Sequence, residues 1–351
     1  MHRMIIIGLG ICFVLATPSF AFHDGGVAAC RGCHTMHNSE DGVPIDPDHP
    51  NGNAWLLKEA NPSEMCLSCH ATSRGKVFWN DPLNPPPEKG AGNFTYLLED
   101  NINDGHNGGQ NPIPGHKAGH NIIAPSYGSV ADPVLVTAPG GSFRSDHLAC
   151  SSCHDPHGTQ AFRLLYGAGR MVNDGYFLFE NAAPTAEGIN FSDSAPEANN
   201  YHTAYQGGMS AWCANCHGDY HNNGTALIHP SGETVGGSIA DNYNMYNGTS
   251  DYEGGTQATA YLAAVPFEDA SMTIESTMGP SAGSQVSCIS CHRAHATSAP
   301  NAGRWDFNLT LLAEDGVESG SYAIPNPYDE HQRSLCNKCH VKDADDEGSN
   351  P

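Results

Sequence analysis

The chain has 351 residues, of which 39% are apolar, 39 are glycine and 24 are proline, with 15 Lys and Arg against 38 Asp and Glu and a net charge of −23 at pH 7. That acidity argues against nucleic acid or an anionic membrane surface as a partner. So little apolar side chain, spread over so much Gly and Pro, would not offset the backbone entropy of folding unless something else filled the core.

Met1 to Ala21 reads as a secretory leader. Arg3 opens it, an apolar run follows from Ile5 to Ala16, and Ser19-Phe20-Ala21 ends it on small residues suited to cleavage. The run is too short for a membrane helix, and no later segment approaches the roughly 20 apolar residues that a span needs. The mature chain is therefore expected outside the cytoplasm, as a single domain over residues 22–351 with no membrane span. Without Arg3 the balance is 14 basic against 38 acidic residues, or −24, and without Cys12 twelve cysteines remain.

The first landmark of the mature chain is Cys30-Arg-Gly-Cys33-His34, with His23 seven residues ahead of it and His37 three residues past His34. Ala54 to Ala60 reads as a helix ended by Asn61-Pro62. Ser63 reads as the cap of a turn running into Cys66-Leu-Ser-Cys69-His70. Asp81–Asn93 and Asp104–Gly115, rich in Gly, Pro and Asn, read as loop, and His120 follows in Gly-His-Asn. Next comes Cys150-Ser-Ser-Cys153-His154 with His157 just behind it, and Asn181–Asn200 again reads as loop. Ser210 reads as the cap for Cys213-Ala-Asn-Cys216-His217, which is followed by His221 and by His229 in His-Pro. Thr256 to Val265 reads as a helix halted by Pro266, ahead of Cys288-Ile-Ser-Cys291-His292 and His295. Asp329 reads as the cap for the last motif, Cys336-Asn-Lys-Cys339-His340, and Asp343–Pro351 as a frayed acidic tail. Strand runs are few. The motifs are irregularly spaced and the segments between them share no sequence, which excludes a solenoid of fixed period.

All twelve mature cysteines fall in six Cys-x-x-Cys pairs, and each pair is followed directly by His. Two cysteines three positions apart lie on one side of a helical turn. From there both sulfurs can form thioethers to the vinyl groups of one porphyrin, while the next residue reaches the iron. The string is a c-type haem attachment. A zinc ribbon would need fixed pairs of motifs, a thioredoxin-like motif needs no His, and neither does an iron–sulfur site. The expectation is six covalently bound haems c, held by Cys30, Cys33, Cys66, Cys69, Cys150, Cys153, Cys213, Cys216, Cys288, Cys291, Cys336 and Cys339. Their irons are bound by His34, His70, His154, His217, His292 and His340. The fold class that follows is mostly irregular coil with short α-helices, wound around a closely packed haem chain.

The sixth iron position is a matter of counting. Twenty histidines, less His2 and the six of the motifs, leave 13 for six irons, so a second His on every iron is available. Methionine ligation would raise the potential, and nothing in the Met distribution calls for it. His37, His157, His221 and His295 lie only three or four residues past a motif His. They sit on the near face of their own haem, which blocks their path to its iron, so each should serve a different haem and draw the irons together. His120, His229 and His23 are further candidates, and His147 a lesser one. His49, His106, His116, His202 and His331 read as polar loop residues or propionate partners. Arg31, Arg163, Arg293, Arg333 and Lys338 could pair with propionates.

The patches FHDGGVAACRGCHTMHNS, AGHNIIA, CSSCHDPHG, GMSAWCANCHGDYHN, GTQATAYLAAVPFE, CISCHRAHA and RSLCNKCH resemble the extracellular hexahaem cytochromes of microbial nanowires, the OmcS family, in the same order from Phe22 to about Lys342. The loops Asp81–His116 and Gly167–Tyr205 do not obviously match. The resemblance implies a bis-His hexahaem subunit that polymerises head to tail, with His37 ligating a haem of the adjacent subunit. An interface of that kind, which does not close on itself, makes an open filament. The expected partners are copies of the chain itself, redox partners and an extracellular electron acceptor. The expected function is an electron conduit, with a soluble periplasmic shuttle as the alternative. A multihaem enzyme would need an open iron position, and with six regular motifs and spare histidines none is expected.

Overall fold

The structure, a computed structural model, describes residues 30–71, 77–78, 90–101, 113–189, 197–221, 229–246, 254–308 and 335–341. Among them are four short α-helices: α1 (Pro62–His70), α2 (Met209–Cys213), α3 (Gly236–Met245) and α4 (Cys288–Cys291). Three antiparallel ribbons of two strands accompany them: β1 (Ser39–Glu40) with β2 (Val43–Pro44), β3 (Met171–Val172) with β4 (Phe177–Leu178), and β5 (Thr185–Glu187) with β6 (Ala204–Gly207). The rest is coil and short 3-10 segments, the longest of them Phe94–Asn101. Every motif carries helical structure, in α1, α2 and α4 and in the turns Cys30–Gly32, Cys150–Ser152 and Leu335–Lys338, whereas α3 and Phe94–Asn101 lie away from the motifs. No helix among the described residues is long and apolar enough to cross a membrane.

Several local expectations are corrected. The cap of α1 is Asn61, whose side chain accepts from the Glu64 amide at 3.0 Å, with Pro62 as the first helical residue. Ser63 lies inside the helix, and its Oγ accepts from the Cys150 amide at 3.3 Å. α2 starts after Gly208, which has φ 86°, and Ser210 lies inside it with its Oγ accepting from the Cys288 amide at 3.2 Å. Both serines therefore cap a different motif from the one they precede in sequence. Asp329 lies outside the described residues.

Ala54–Ala60 is not a helix. Only a turn forms, Ala54–Leu56, with Trp55 and Leu56 at φ 53° and 59°. The segment instead pairs with the first motif, Thr35 N donating to Leu56 O at 2.7 Å and Lys58 N to Cys33 O at 2.9 Å. Thr256–Val265 likewise contains only the turn Gln257–Thr259. Its next amides bond far away: Tyr261 to Thr277 O, Leu262 to Tyr243 Oη and Ala263 to Asn199 Oδ1. In both segments tertiary partners satisfy the backbone, and that outweighs helix propensity. The loop read at Asn181–Asn200 contains β5.

Apolar side chains form several small clusters, each seated against motif cysteines. Tyr243, Phe267, Trp305 and Leu335 pack with Cys291, Cys336 and Cys339. Leu67, Phe94 and Ile122 pack with Cys150, and Phe143 and Phe179 with Cys216. The clusters thus follow the line of motifs, as the composition requires if another group completes the core.

Candidate haem centres

The first, third and fifth motifs are built alike. Each is followed by two consecutive non-glycine residues in the left-handed region: Trp55-Leu56, Arg163-Leu164 and Asn301-Ala302. The carbonyl of the first member accepts from Nδ1 of the motif histidine: Trp55 O from His34 at 2.8 Å, Arg163 O from His154 at 2.8 Å, Asn301 O from His292 at 3.0 Å. The residue after each histidine then pairs with the second member, Thr35 with Leu56 at 2.7 Å, Asp155 with Leu164 at 2.8 Å and Arg293 with Ala302 at 2.8 Å. Left-handed backbone costs a non-glycine residue about 1–2 kcal/mol. The return is a locked tautomer and ring orientation, with Nε2 left to ligate a metal. His217 of the fourth motif is oriented similarly, by Pro139 O at 2.8 Å.

The motifs touch their neighbours in order. Burial and then the adjacent Cys66 and Cys69 raise the Cys33 thiol. Burial and then Cys216 push Cys153 up to about 12, and burial with Cys339 and Cys336 pushes Cys291 up to about 12. Cys66 lies close enough to Cys150, and Cys213 to Cys288, for each pair to perturb one another's thiols. Each step from one motif to the next therefore has a sulfur near a sulfur. None of these cysteines forms a disulfide.

Four motif histidines face a second imidazole. His34 and His157 have ring centres 6.2 Å apart with planes at 8°, and His154 and His295 are 6.4 Å apart at 65°. His217 and His120 are 5.9 Å apart at 50°, and His340 and His229 are 6.1 Å apart at 68°. Two metal–nitrogen bonds of about 2 Å, plus the distance from each nitrogen to its ring centre, span about 6 Å. Among the described residues no three His, Cys, Asp or Glu side chains converge as a cage for a bare ion. The pairs therefore fit a metal that brings its own equatorial donors, as haem iron does. Burial, then neighbouring histidines, hold His295 down to about 3 and His120 down to about 4, which keeps both rings neutral and able to ligate.

The other candidates are placed as follows. His37 is exposed, beside Met36, which is 79% exposed. His292 has its only described ring contact with Phe307, edge-on at 5.4 Å, and faces no imidazole of its own chain among the described residues. His221 is not brought opposite a motif histidine among the described residues; its ring lies near Gly232, with Nδ1 buried and unbonded. His23 lies outside the described residues, as do His106, His331 and Arg333. His202 is fully buried, stacked on Tyr261 at 3.7 Å, with both ring nitrogens bonded to carbonyls. His147 stacks on Tyr176 at 4.0 Å, and His49 bonds Asp46 at 2.8 Å.

Among the cations, Arg31 is exposed, Arg163 Nη2 donates to Ile189 O, and Lys338 Nζ donates to Tyr243 O and Tyr246 O. Arg304 was not singled out by sequence because it lies twelve residues past its motif histidine, His292. It is 2% exposed and donates to Ile289 O, Ala263 O and Gly90 O; Arg293 Nη1 also donates to Gly90 O. The Glu197 carboxylate lies beside Gly90 and acts on the Arg304 guanidinium, so this buried cluster already holds an acidic group.

Glu268 is 2% exposed and its carboxyl is raised by burial. It accepts from the Met209 amide at 2.8 Å and from Ser287 Oγ at 3.2 Å, and so ties the start of α2 to the fifth motif. Glu268→Ala is expected to cost about 2 kcal/mol by leaving both donors without it, read as a lower midpoint of thermal unfolding, with Glu268→Gln closer to the parent.

No protein-family profile matches the chain. It is similar to the C-type cytochrome OmcS of Geobacter sulfurreducens, with 33% identity over 422 residues, covering 93% of this chain and 96% of that one. Among solved structures it is similar to the OmcS nanowires of the same organism, seen by cryo-EM, with a TM-score of 0.79, 31% identity, and coverage of 92% of this chain and 100% of that one. A second structure, the Outer Membrane Cytochrome S filament from Geobacter sulfurreducens, matches with a TM-score of 0.76 over the same shares.

Proposed function

Because the chain belongs to the OmcS family of c-type cytochromes, we propose that it carries six covalent haems c and polymerises head to tail into an extracellular filament that conducts electrons to an outside acceptor. Haem iron supplies the one-electron redox chemistry; the chain's residues hold the irons, close their axial positions and set their order. What carries the reading is the pattern of opposed imidazoles.

That pattern follows a rule. The haem of the first motif would lie between His34 and His157, which follows the third motif. The haem of the third motif would lie between His154 and His295, which follows the fifth. Each odd motif is thus closed by the histidine three residues past the next odd motif. The haems of the fourth and sixth motifs are closed by His120 and His229, each lying ahead of the odd motif that precedes its haem. Extended backward, the rule assigns His23 to the haem of His70. Extended forward, it assigns His292 a histidine three residues past a seventh motif, which this chain does not have. The next copy does have one, in His37. The distal set is then His157, His23, His295, His120, His37 of the next copy, and His229, with His221 left over.

A conduit of this kind needs no open iron position, so the chain acts as an electron carrier and not as an enzyme. Its redox partners are an electron donor at the cell surface and an extracellular acceptor. Electron microscopy of the purified secreted protein, with optical spectra of the same sample, tests the reading. The expected result is filaments with entirely low-spin haem and no carbon monoxide binding after reduction. Isolated subunits would sink the filament, and a high-spin haem within intact filaments would favour an enzyme.

A further inference from the structure

His229 and His120 occupy equivalent places. Each faces the histidine of an even motif, at 6.1 and 5.9 Å, and each has its carbonyl taken by the amide two residues on, Ser231 at 2.7 Å and Ile122 at 2.9 Å. They differ in one respect. The amide of His120 donates to His295 O at 2.8 Å and its Nδ1 bonds Ala294 O at 2.6 Å, beside a bridge between Gly119 and Ala296. The segment that closes the third haem therefore also orients the ring on the fourth. Among the described residues, neither the amide nor Nδ1 of His229 has an acceptor, and the residue is exposed. Likewise, the carbonyls of Met36 and His37 receive no donor among the described residues, and both residues are exposed. Met36-His37 stands to the first motif as Ala294-His295 stands to the fifth.

We infer that, where two copies meet, His229 of one pairs with Met36-His37 of the next: its amide donates to His37 O and its Nδ1 donates to Met36 O. This rests on the head-to-tail reading above and adds a second link to the junction. The arriving copy would supply an imidazole to the haem of His292 and would also orient the imidazole on the haem of His340. A carbonyl on Nδ1–H makes the ring a stronger donor to iron. Assembly would then lower the potential of the haem of the sixth motif as well as complete that of the fifth, so the two haems at the junction would change together.

Two measurements test this on the intact filament. Imaging at side-chain resolution should place His229 Nδ1 about 3 Å from Met36 O of the adjoining copy, with the His229 amide on His37 O. Hydrogen exchange resolved to the His229 amide should slow by about tenfold or more between dispersed subunits and filaments. Filaments in which His37 reaches the haem of His292 while His229 Nδ1 faces solvent or another acceptor would overturn the inference and leave the head-to-tail reading standing. Equal exchange in the two states would do the same. Failure to form filaments at all would overturn both.

Discussion

His37→Ala is expected to yield secreted chains that keep six covalent haems and do not form filaments. One iron in each chain, that of His292, should lose its distal imidazole, so about one-sixth of the haem becomes high-spin and the reduced protein binds about one carbon monoxide per chain. The informative control is His157→Ala, since His157 is the internal counterpart of His37. Its target, the haem of His34, belongs to the same chain, and the two rings already face each other at 6.2 Å. That variant should show the same spectral change inside filaments that still assemble. Added imidazole should restore the low-spin spectrum of His37→Ala without restoring assembly. If His37→Ala chains polymerise with every iron six-coordinate, the junction is made by another residue.

The second large effect is on folding. The chain made in a host that cannot attach haem is expected not to fold. Its apolar residues are 39% of the sequence, and among the described residues its α-helices run from four to ten residues and its ribbons hold two strands each. Isolated helices of that length are marginal in water, as are isolated hairpins. The apolar clusters are small and end on the motif cysteines, so without porphyrin faces they lack a second wall. Folding is then coupled to the bound group, as in small metal-dependent domains. Circular dichroism and protease digestion should report a disordered, rapidly cleaved chain. Replacing both cysteines of one motif, Cys213→Ser with Cys216→Ser, should give a local version of this, loosening the contact between α2 and α4 and the apolar packing that Cys213 and Cys216 share. A compact, protease-resistant chain without haem would refute the dependence.

Sequence alone was a poor guide to the two longer helical stretches. Ala54–Ala60 has the composition of a helix, yet Trp55 and Leu56 are left-handed because their carbonyls are needed at His34 and Thr35. Ser63 and Ser210 have the residue type and position of caps, but their hydroxyls accept from Cys150 and Cys288, more than 70 residues away in each case. A partial signal for the threefold build was present. The pattern Cys-His-x-x-His occurs at the first, third and fifth motifs, whereas the fourth places its next histidine one residue later, at His221. The left-handed turns that complete the pattern lie 21, 9 and 9 residues past the motif histidine and share only a leucine, Leu56 and Leu164, in two of the three, so no local spacing announces them.

By itself the sequence determined that haem can be attached, how many attachment sites there are, and that enough neutral imidazoles exist to close every iron. Those are local properties, set by two thiols and an imidazole within one helical turn. It also implied that a histidine just past a motif cannot reach its own iron, because the ring it would have to cross is in the way. Which motif histidine such a residue faces was decided only by the tertiary structure, and among the described residues His221 faces none. The pairs His34 with His157 and His154 with His295 are closed by chain passing over more than 100 residues, and their geometry depends on carbonyls delivered by strained turns elsewhere. Once that alternation of odd and even motifs is in place, His292 faces no imidazole of its own chain among the described residues, and His37 and His229 are left with unused groups that match one another.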